Sequence, residues 1–363
     1  MVEKINGVQF TILVIMNTLG AAIIYIPSIA TRYGAENGWI SIFITTLAGL
    51  GLILIYNRIL SFHDKGNIFQ IIDFAVGKWV GILFSFILLG YTFFNLYSNL
   101  WAIGDFLTIQ ILMGTPFEVI TFVIIVTVVV AIVYGIEVVA RTAELFFPFT
   151  MLCAFLLTVL VLKDADFERV LPIFQHQRLA TVSGALPVLG ITFLELVILL
   201  GITHTVNRKK TAQRGFLVGG ALAGFILMTI TFSSIVVLGA KGTTNATYPV
   251  YALGQRINLF DFVERIEIIV AFIWFFTIFF KMCVSFYVLA LGIKHIIKLE
   301  SSKSITIPIG LFTFFSATLA APNTYAVQEF INDSLIIIAI LSGFILPCIL
   351  LIALLFKKKK LRE

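Results

Sequence analysis

The sequence predicts an all-α membrane protein of about ten transmembrane helices arranged as a five-plus-five inverted repeat. Three observations predict it. Of the 363 residues, 60% are hydrophobic and 12% charged, and the mean hydropathy is +1.07. A soluble domain of that length would expose more apolar surface than water tolerates, whereas a bilayer accepts it. Apolar runs long enough to span recur along the whole chain, each bounded by charged or turn-forming residues. Basic residues are distributed unevenly between alternate loops.

The runs place spans at 8–31, 39–60, 79–111, 117–136, 143–162, 181–204, 215–240, 265–297, 304–322 and 333–356. They leave no room for a soluble domain, so residues 1–363 read as one transmembrane domain, with repeat 1 at about 8–162 and repeat 2 at about 181–356. The stretch from Val8 is too long for the apolar core of a signal peptide and reads as the first span. With the N-terminus in the cytoplasm, the inner segments hold 17 Lys and Arg residues and the outer segments 7. The positive-inside rule expects that bias when both termini are cytoplasmic, and adding or removing one span would scramble it.

The net charge of +6 raises the question of nucleic acid, but the basic residues sit in short loops and in the tail Lys357 to Lys360, next to membrane spans. Anionic lipid is the partner that placement suits. Cys153, Cys283 and Cys348 lie in apolar runs without metal-like spacing and read as small buried hydrophobes. His63, His176, His204 and His295 fall in loops or at span ends, and no phosphate loop or nucleophile–base arrangement appears. No cofactor, metal or enzymatic activity is expected.

Spans 3 and 8 are longer than a perpendicular helix requires, which predicts strong tilt. Spans 1 and 6 carry the interruptions: Gly20-Ala21-Ala22 and Pro27 in the first, Gly184, Pro187 and Gly190 in the second. Interrupted spans at the same position of two halves point to an inverted-repeat transporter fold with its site near mid-membrane.

Several local patterns carry a family resemblance over nearly the whole chain. They are Gly20-Ala21-Ala22-Ile23-Ile24-Tyr25-Ile26-Pro27, Asn37-Gly38-Trp39, Gly77-Lys78-Trp79, Phe146-Phe147-Pro148-Phe149 at the expected start of span 5, and Glu264-Arg265-Ile266-Glu267 followed by Trp274, Tyr287, Gly292 and Lys294. In order and spacing the chain resembles the B subunit of bacterial spore germinant receptors, a branch of the amino acid–polyamine–organocation transporter superfamily with a LeuT-like fold. The resemblance implies a membrane subunit that recognises a small germinant, an amino acid or a nucleoside. It also implies a spore inner-membrane location and a complex with a membrane A subunit and a lipoprotein C subunit. A secondary amino acid permease is the alternative. Glu195 and Lys281 depart from the expected pattern.

The candidate ligand-binding residues follow from chemistry at membrane depth. At Gly20, Ala21, Ala22 and Ile23 a broken helix frees backbone N–H and C=O groups for a ligand; close helix packing by small residues is the other reading. Thr192 and Glu195 form the matching stretch of span 6, and a carboxylate inside a span faces a cavity or a partner. Lys281, near the middle of span 8, either contacts ligand, pairs with Glu195 or reaches towards water. In the superfamily span 8 faces span 1 across the cation region, so the resemblance also allows its ammonium to replace a coupling ion. Thr277 lies one turn before it on the same face. On span 3, Tyr91, Asn95 and Asn99 share a face expected to look into the bundle, for ligand or for interhelical hydrogen bonds. Asp105, nearer the outer end, reads as a rim or structural residue. Glu137, Arg141 and Glu144 are expected to form a salt-bridged corner between spans 4 and 5.

Overall fold

A computed structural model describes residues 4–62, 66–171, 178–256, 267–320 and 335–360. Within them the chain is almost wholly helical, and ten spans follow one another. Span 1 comprises Gly7–Leu19 and Ala22–Gly34, and span 2 is Gly38–Leu60. Span 3 runs through Lys78–Phe106 and a wider turn at Leu107–Ile111; spans 4 and 5 are Phe117–Tyr134 and Ile136–Val161. Span 6 is assembled from Arg178–Ser183, Ala185–Ile191 and Leu194–Gly201. Spans 7, 8 and 9 are Lys209–Asn245, Glu267–Ile297 and Thr306–Ala320. Span 10 runs from Leu335 to Lys360, with a wider turn at Leu341–Ile345. The lateral faces expose large apolar side chains such as Leu83, Phe86, Phe155 and Phe312, which a bilayer, not water, accommodates.

Some boundaries differ from the sequence expectation. Span 5 begins at Ile136, seven residues before the expected 143, because Gly135 takes a positive φ of 97° and turns the chain within one residue of Tyr134. Phe146 and Pro148 therefore lie inside the helix. The expected salt-bridged corner dissolves for the same reason. Arg141 bonds Glu137 at 2.7 Å one turn away on its own helix, and Glu144 instead accepts from Gln9 at 2.8 Å. Span 7 extends beyond 215–240 at both ends but is broken at Gly239, where φ is 73° and ψ 163°. Glu264, Arg265 and Ile266, together with Pro172, His63 and His176, lie outside the described residues.

Two short helices flank the bundle. Ile68–Val76, between spans 2 and 3, starts on an Asn67–Gln70 capping box and ends at Gly77. It is pinned by Asp73 to His295 of span 8 at 2.8 Å and by Lys357 donating to the Phe74 carbonyl at 2.5 Å. Pro249–Gln255 follows span 7 at the opposite end. Span 7 lies close against spans 1 and 2 along a buried row of Gly215, Gly219, Gly220 and Gly224, the small-residue contact expected between membrane helices. At the N-terminal end the bundle is closed by backbone pairing: Ile5 N–H donates to Thr205 and Asn207 N–H to Ile5.

Candidate functional site

Span 1 breaks where the sequence loses its long side chains. Gly20 still donates its N–H to Met16 at 2.8 Å, but its ψ of −120° turns the chain, and a second helix starts at Ala22 without a side-chain cap. The first N–H groups of that helix have no intrahelical acceptor. Gly20 is required by close approach: a Cβ there would fall 2.4 Å from Cδ of Lys281.

Span 6 breaks at Thr192 and Phe193. Thr192, with φ −114° and ψ −81°, leaves the helix while its hydroxyl donates to the Val188 carbonyl at 2.6 Å. The chain resumes as a tighter helix at Leu194, which brings Glu195 inward. Glu195 is 4% exposed and Lys281 1% exposed, and the two form a direct ion pair. A charge so deeply buried persists only when paired and hydrogen-bonded. The pair therefore ties span 6 to span 8 beside the break of span 1. Thr277, one turn before Lys281, bonds the carbonyls of Ile273 and Trp274 at 3.0 Å, and its hydroxyl lies 3.5 Å from the Gly20 carbonyl.

Span 3 presents its polar face to this junction. Asn99 donates to the backbone and side-chain oxygens of Asn95, at 2.5 and 3.1 Å, and Ser285 of span 8 donates to the same Asn95 side-chain oxygen at 3.3 Å. Asn95 in turn hydrogen-bonds Glu195. Tyr91, 2% exposed, lies within electrostatic reach of Glu195, and its hydroxyl has no partner among the described residues.

Above the junction lies a cavity of about 160 Å³ opening at the end away from the N-terminus. Ala21, Asn95, Asn99 and Glu195 are among its walls. Its mouth is ringed by Arg32, Asp105 and the Thr244–Tyr248 segment beyond the Gly239 kink. Tyr248 donates to Asp105 at 2.6 Å, and Thr244 bonds Thr31 of span 1 at 2.9 Å. Burial pushes the Tyr248 phenol well above its ordinary pKa, so it stays a donor. Tyr25, Tyr248, Phe106 and Trp274 form an aromatic cluster on one side, in which Trp274 meets Tyr25 and Phe106 edge-to-face, Phe106 meets Tyr248 likewise, and the Phe106 and Trp274 centroids are 4.6 Å apart.

The expected residues thus fall into three places. Ala21, Asn95 and Glu195 line the cavity; Gly20, Thr277 and Lys281 form the layer behind it, with Tyr91 and Thr192 buried nearby. Ala22 and Ile23 are buried in the core of the bundle and do not reach the cavity. Sequence reading missed the mouth. Within it, Asn245-Ala246-Thr247 matches a glycosylation acceptor only by chance, and the available signal was Gly239, a glycine inside an apolar run, with Pro249 starting a helix ten residues later.

Comparison with known proteins adds to this geometry. Residues 4–325 match the family described as Spore germination protein. Spore germination protein KB of Bacillus subtilis (strain 168) is 24% identical over 366 residues, covering 98% of this chain and 96% of that relative. The putative spore germination protein YfkT of the same organism is 26% identical over 372 residues, 99% and 98% of the two chains. Among solved structures, MhsT in complex with L-phenylalanine aligns with a TM-score of 0.65 at 16% identity, over 98% of this chain and 99% of that one. Mhp1, a nucleobase-cation-symport-1 family transporter with bromovinylhydantoin bound, aligns with a TM-score of 0.69 at 13% identity, over 95% and 78%. These similarities establish a LeuT-type transporter fold.

Proposed function

The chain belongs to the spore germination protein family, and from that premise we propose that it is the membrane subunit of a spore germinant receptor. It binds a small germinant in the cavity between the broken spans 1 and 6 and passes the event to partner subunits. The observation that carries this reading is the cavity floor, where the Glu195–Lys281 pair joins spans 6 and 8 beside the break in span 1. A ligand seated on that floor contacts groups whose spacing depends on how the spans are arranged. Its binding therefore favours one arrangement by differential affinity.

In this reading Ala21, at the break of span 1, lies against the ligand on one wall, and Asn95 and Glu195 line the opposite wall. Gly20, Thr277 and Lys281 hold the break, the lysine ammonium serving as a fixed cation. Tyr91 and Thr192 shape the pocket from behind. The protein resides in the spore inner membrane with both termini in the cytoplasm. It assembles with a membrane A subunit and a lipoprotein C subunit.

The test is germination of spores carrying Lys281→Met and Glu195→Gln, singly and together, against a panel of amino acids and nucleosides, with subunit levels followed by immunoblot. The expected result is a loss or altered ligand preference at normal protein levels. An unchanged dose response would remove the pair from the recognition site. The transporter fold favours a second reading, a secondary amino acid permease using the same cavity. Sustained uptake of labelled amino acid into liposomes containing this chain alone would select it.

A further inference from the structure

The short helix Ile68–Val76 is fastened to spans 3, 6, 8 and 10 by contacts that the cavity does not require. It lies on the N-terminal face of the bundle, with Ile68, Phe69, Ile71 and Ile72 buried. Two glycines make room for it. A Cβ on Gly292 of span 8 would collide with the Phe69 ring, and one on Gly81 of span 3 with the Asp73 carboxylate. The Phe69 ring stacks on the His295 imidazole, with centroids 6.0 Å apart and 26° between the planes. Asp73, one turn after Phe69 on the same face, meets Nε2 of His295 at 2.8 Å. From span 10, Lys357 donates to the Phe74 carbonyl and lies 4.3 Å from the centre of its ring. The helix also packs against Leu194–Gly201, the resumed part of span 6 that carries Glu195.

The Asp73–His295 contact is the fastening whose strength depends on a proton. The two side chains are 32% and 22% exposed, so both can exchange protons with water. A carboxylate only accepts, so a neutral imidazole in this contact carries its hydrogen on Nε2. A second proton, taken up from water, goes to Nδ1 and turns the hydrogen bond into an ion pair. Such charge-assisted bonds are roughly twice as strong as neutral ones. Imidazole is the side chain whose ordinary charge change falls between about pH 5 and pH 8.

The surrounding charges leave that role to Asp73. Lys294 and Lys298 flank His295 on its own span, and Lys78 opens span 3. Lys357 is engaged at Phe74. On span 5, Glu137 bonds Arg141 and the Lys4 N–H, and Glu144 bonds Gln9 of span 1. On span 6, Glu195 is paired with Lys281, and His204 beyond it sets Nδ1 against the Gly201 carbonyl. Glu118 of span 4 lies at the other end of the bundle, and Glu300 is exposed in the link after span 8.

We propose that Ile68–Val76 is a proton-sensitive latch: with His295 protonated, its ion pair with Asp73 clamps the helix onto the bundle, and loss of that proton loosens it. The extra strength is present while the imidazole is charged and is lost as pH rises. A loosened helix frees the flank of the segment that carries Glu195, so a rise in pH on this face eases movement of span 6 without altering the cavity walls. The latch stands whether the chain works as a receptor or as a permease.

The experiment follows amide hydrogen exchange of residues 68–76 in the full purified chain in lipid nanodiscs, from about pH 5.5 to about pH 8, corrected for the intrinsic exchange rate at each pH. Protection in the wild type is expected to fall about three- to tenfold across this range, the difference between a charged and a neutral hydrogen bond. The helix Pro249–Gln255, at the opposite end, is the internal reference and should not follow. His295→Gln, which keeps a donor without the charge, should show the lower protection at every pH and no fall. His295→Arg, which stays charged and can stack on an aromatic ring, should keep protection high up to pH 8. Asp73→Asn, made at the other partner, should also abolish the fall, so the result does not depend on one variant folding. Flat wild-type protection, an equal fall in Pro249–Gln255, or a fall that persists in His295→Gln or Asp73→Asn would overturn the latch.

Discussion

Gly20 of span 1 and Lys281 of span 8 lie so close that a Cβ on the glycine would fall 2.4 Å from the lysine Cδ and 3.3 Å from its ammonium nitrogen. The smallest side chain in the protein thus makes room for the most deeply buried cation described here. Gly20→Ala is expected to displace Lys281 or the break itself, destabilising the protein by about 1–3 kcal/mol as overpacked interiors do. Thermal unfolding in detergent measures the loss. A variant as stable as wild type would mean that the lysine stem moves aside freely.

Glu195 and Lys281 should behave as a unit. Removing either partner alone leaves an uncompensated buried charge, with a cost of about 3–5 kcal/mol. Replacing both, as Glu195→Gln with Lys281→Met, removes that penalty, so the double variant should be more stable than either single one. A thermodynamic cycle of the four proteins reads the coupling. Additive losses would show that the two residues act on separate parts of the fold.

Tyr56 of span 2 donates its hydroxyl to the Gly343 carbonyl at 2.5 Å, and Leu194, the residue before Glu195, offers its carbonyl 3.5 Å away. This contact holds the resumed part of span 6 against the wide turn of span 10. Tyr56→Phe leaves a buried carbonyl short of a donor and should cost about 1–3 kcal/mol. It should also raise the germinant concentration needed for a half-maximal response, because Glu195 follows directly in the chain. A stability loss with an unchanged dose response would confine Tyr56 to packing.

Gly239 has a φ of 73° and a ψ of 163°, a region that only glycine occupies without strain. The carbonyls freed by this kink are used: Val236 accepts from the Asp166 N–H at 2.9 Å and Val237 from the Arg169 guanidinium. Gly239→Ala should cost about 1–3 kcal/mol. It should also misplace Thr244 to Tyr248 at the cavity mouth, weakening ligand binding while the Glu195–Lys281 junction stays intact. Tyr248→Phe, which removes the hydroxyl that bonds Asp105 and Tyr25 but leaves the kink, provides the matched comparison. Binding unchanged in both variants would show that the mouth segment does not control access.

Membrane residence, the ten spans and the interruptions at Gly20 and near Thr192 were legible in the sequence. A bilayer constrains span length and polarity residue by residue, so apolar runs, loop charges and small-residue breaks report directly on it. That Glu195 and Lys281 face something polar could be read in the same way, since a charge at membrane depth needs a partner. Their mutual pairing, 86 positions apart in the chain, was one of several readings of Lys281, and the packing of span 6 against span 8 selected it. Packing also decided the orientation of Asn99, whose amide is fixed only by two oxygens of Asn95, and the mouth, whose Tyr248 reaches Asp105 because Gly239 turns span 7 over the cavity. Local hydrophobicity determines which segments enter the membrane, whereas the pairing of polar groups inside it depends on distances between helices that no local pattern encodes.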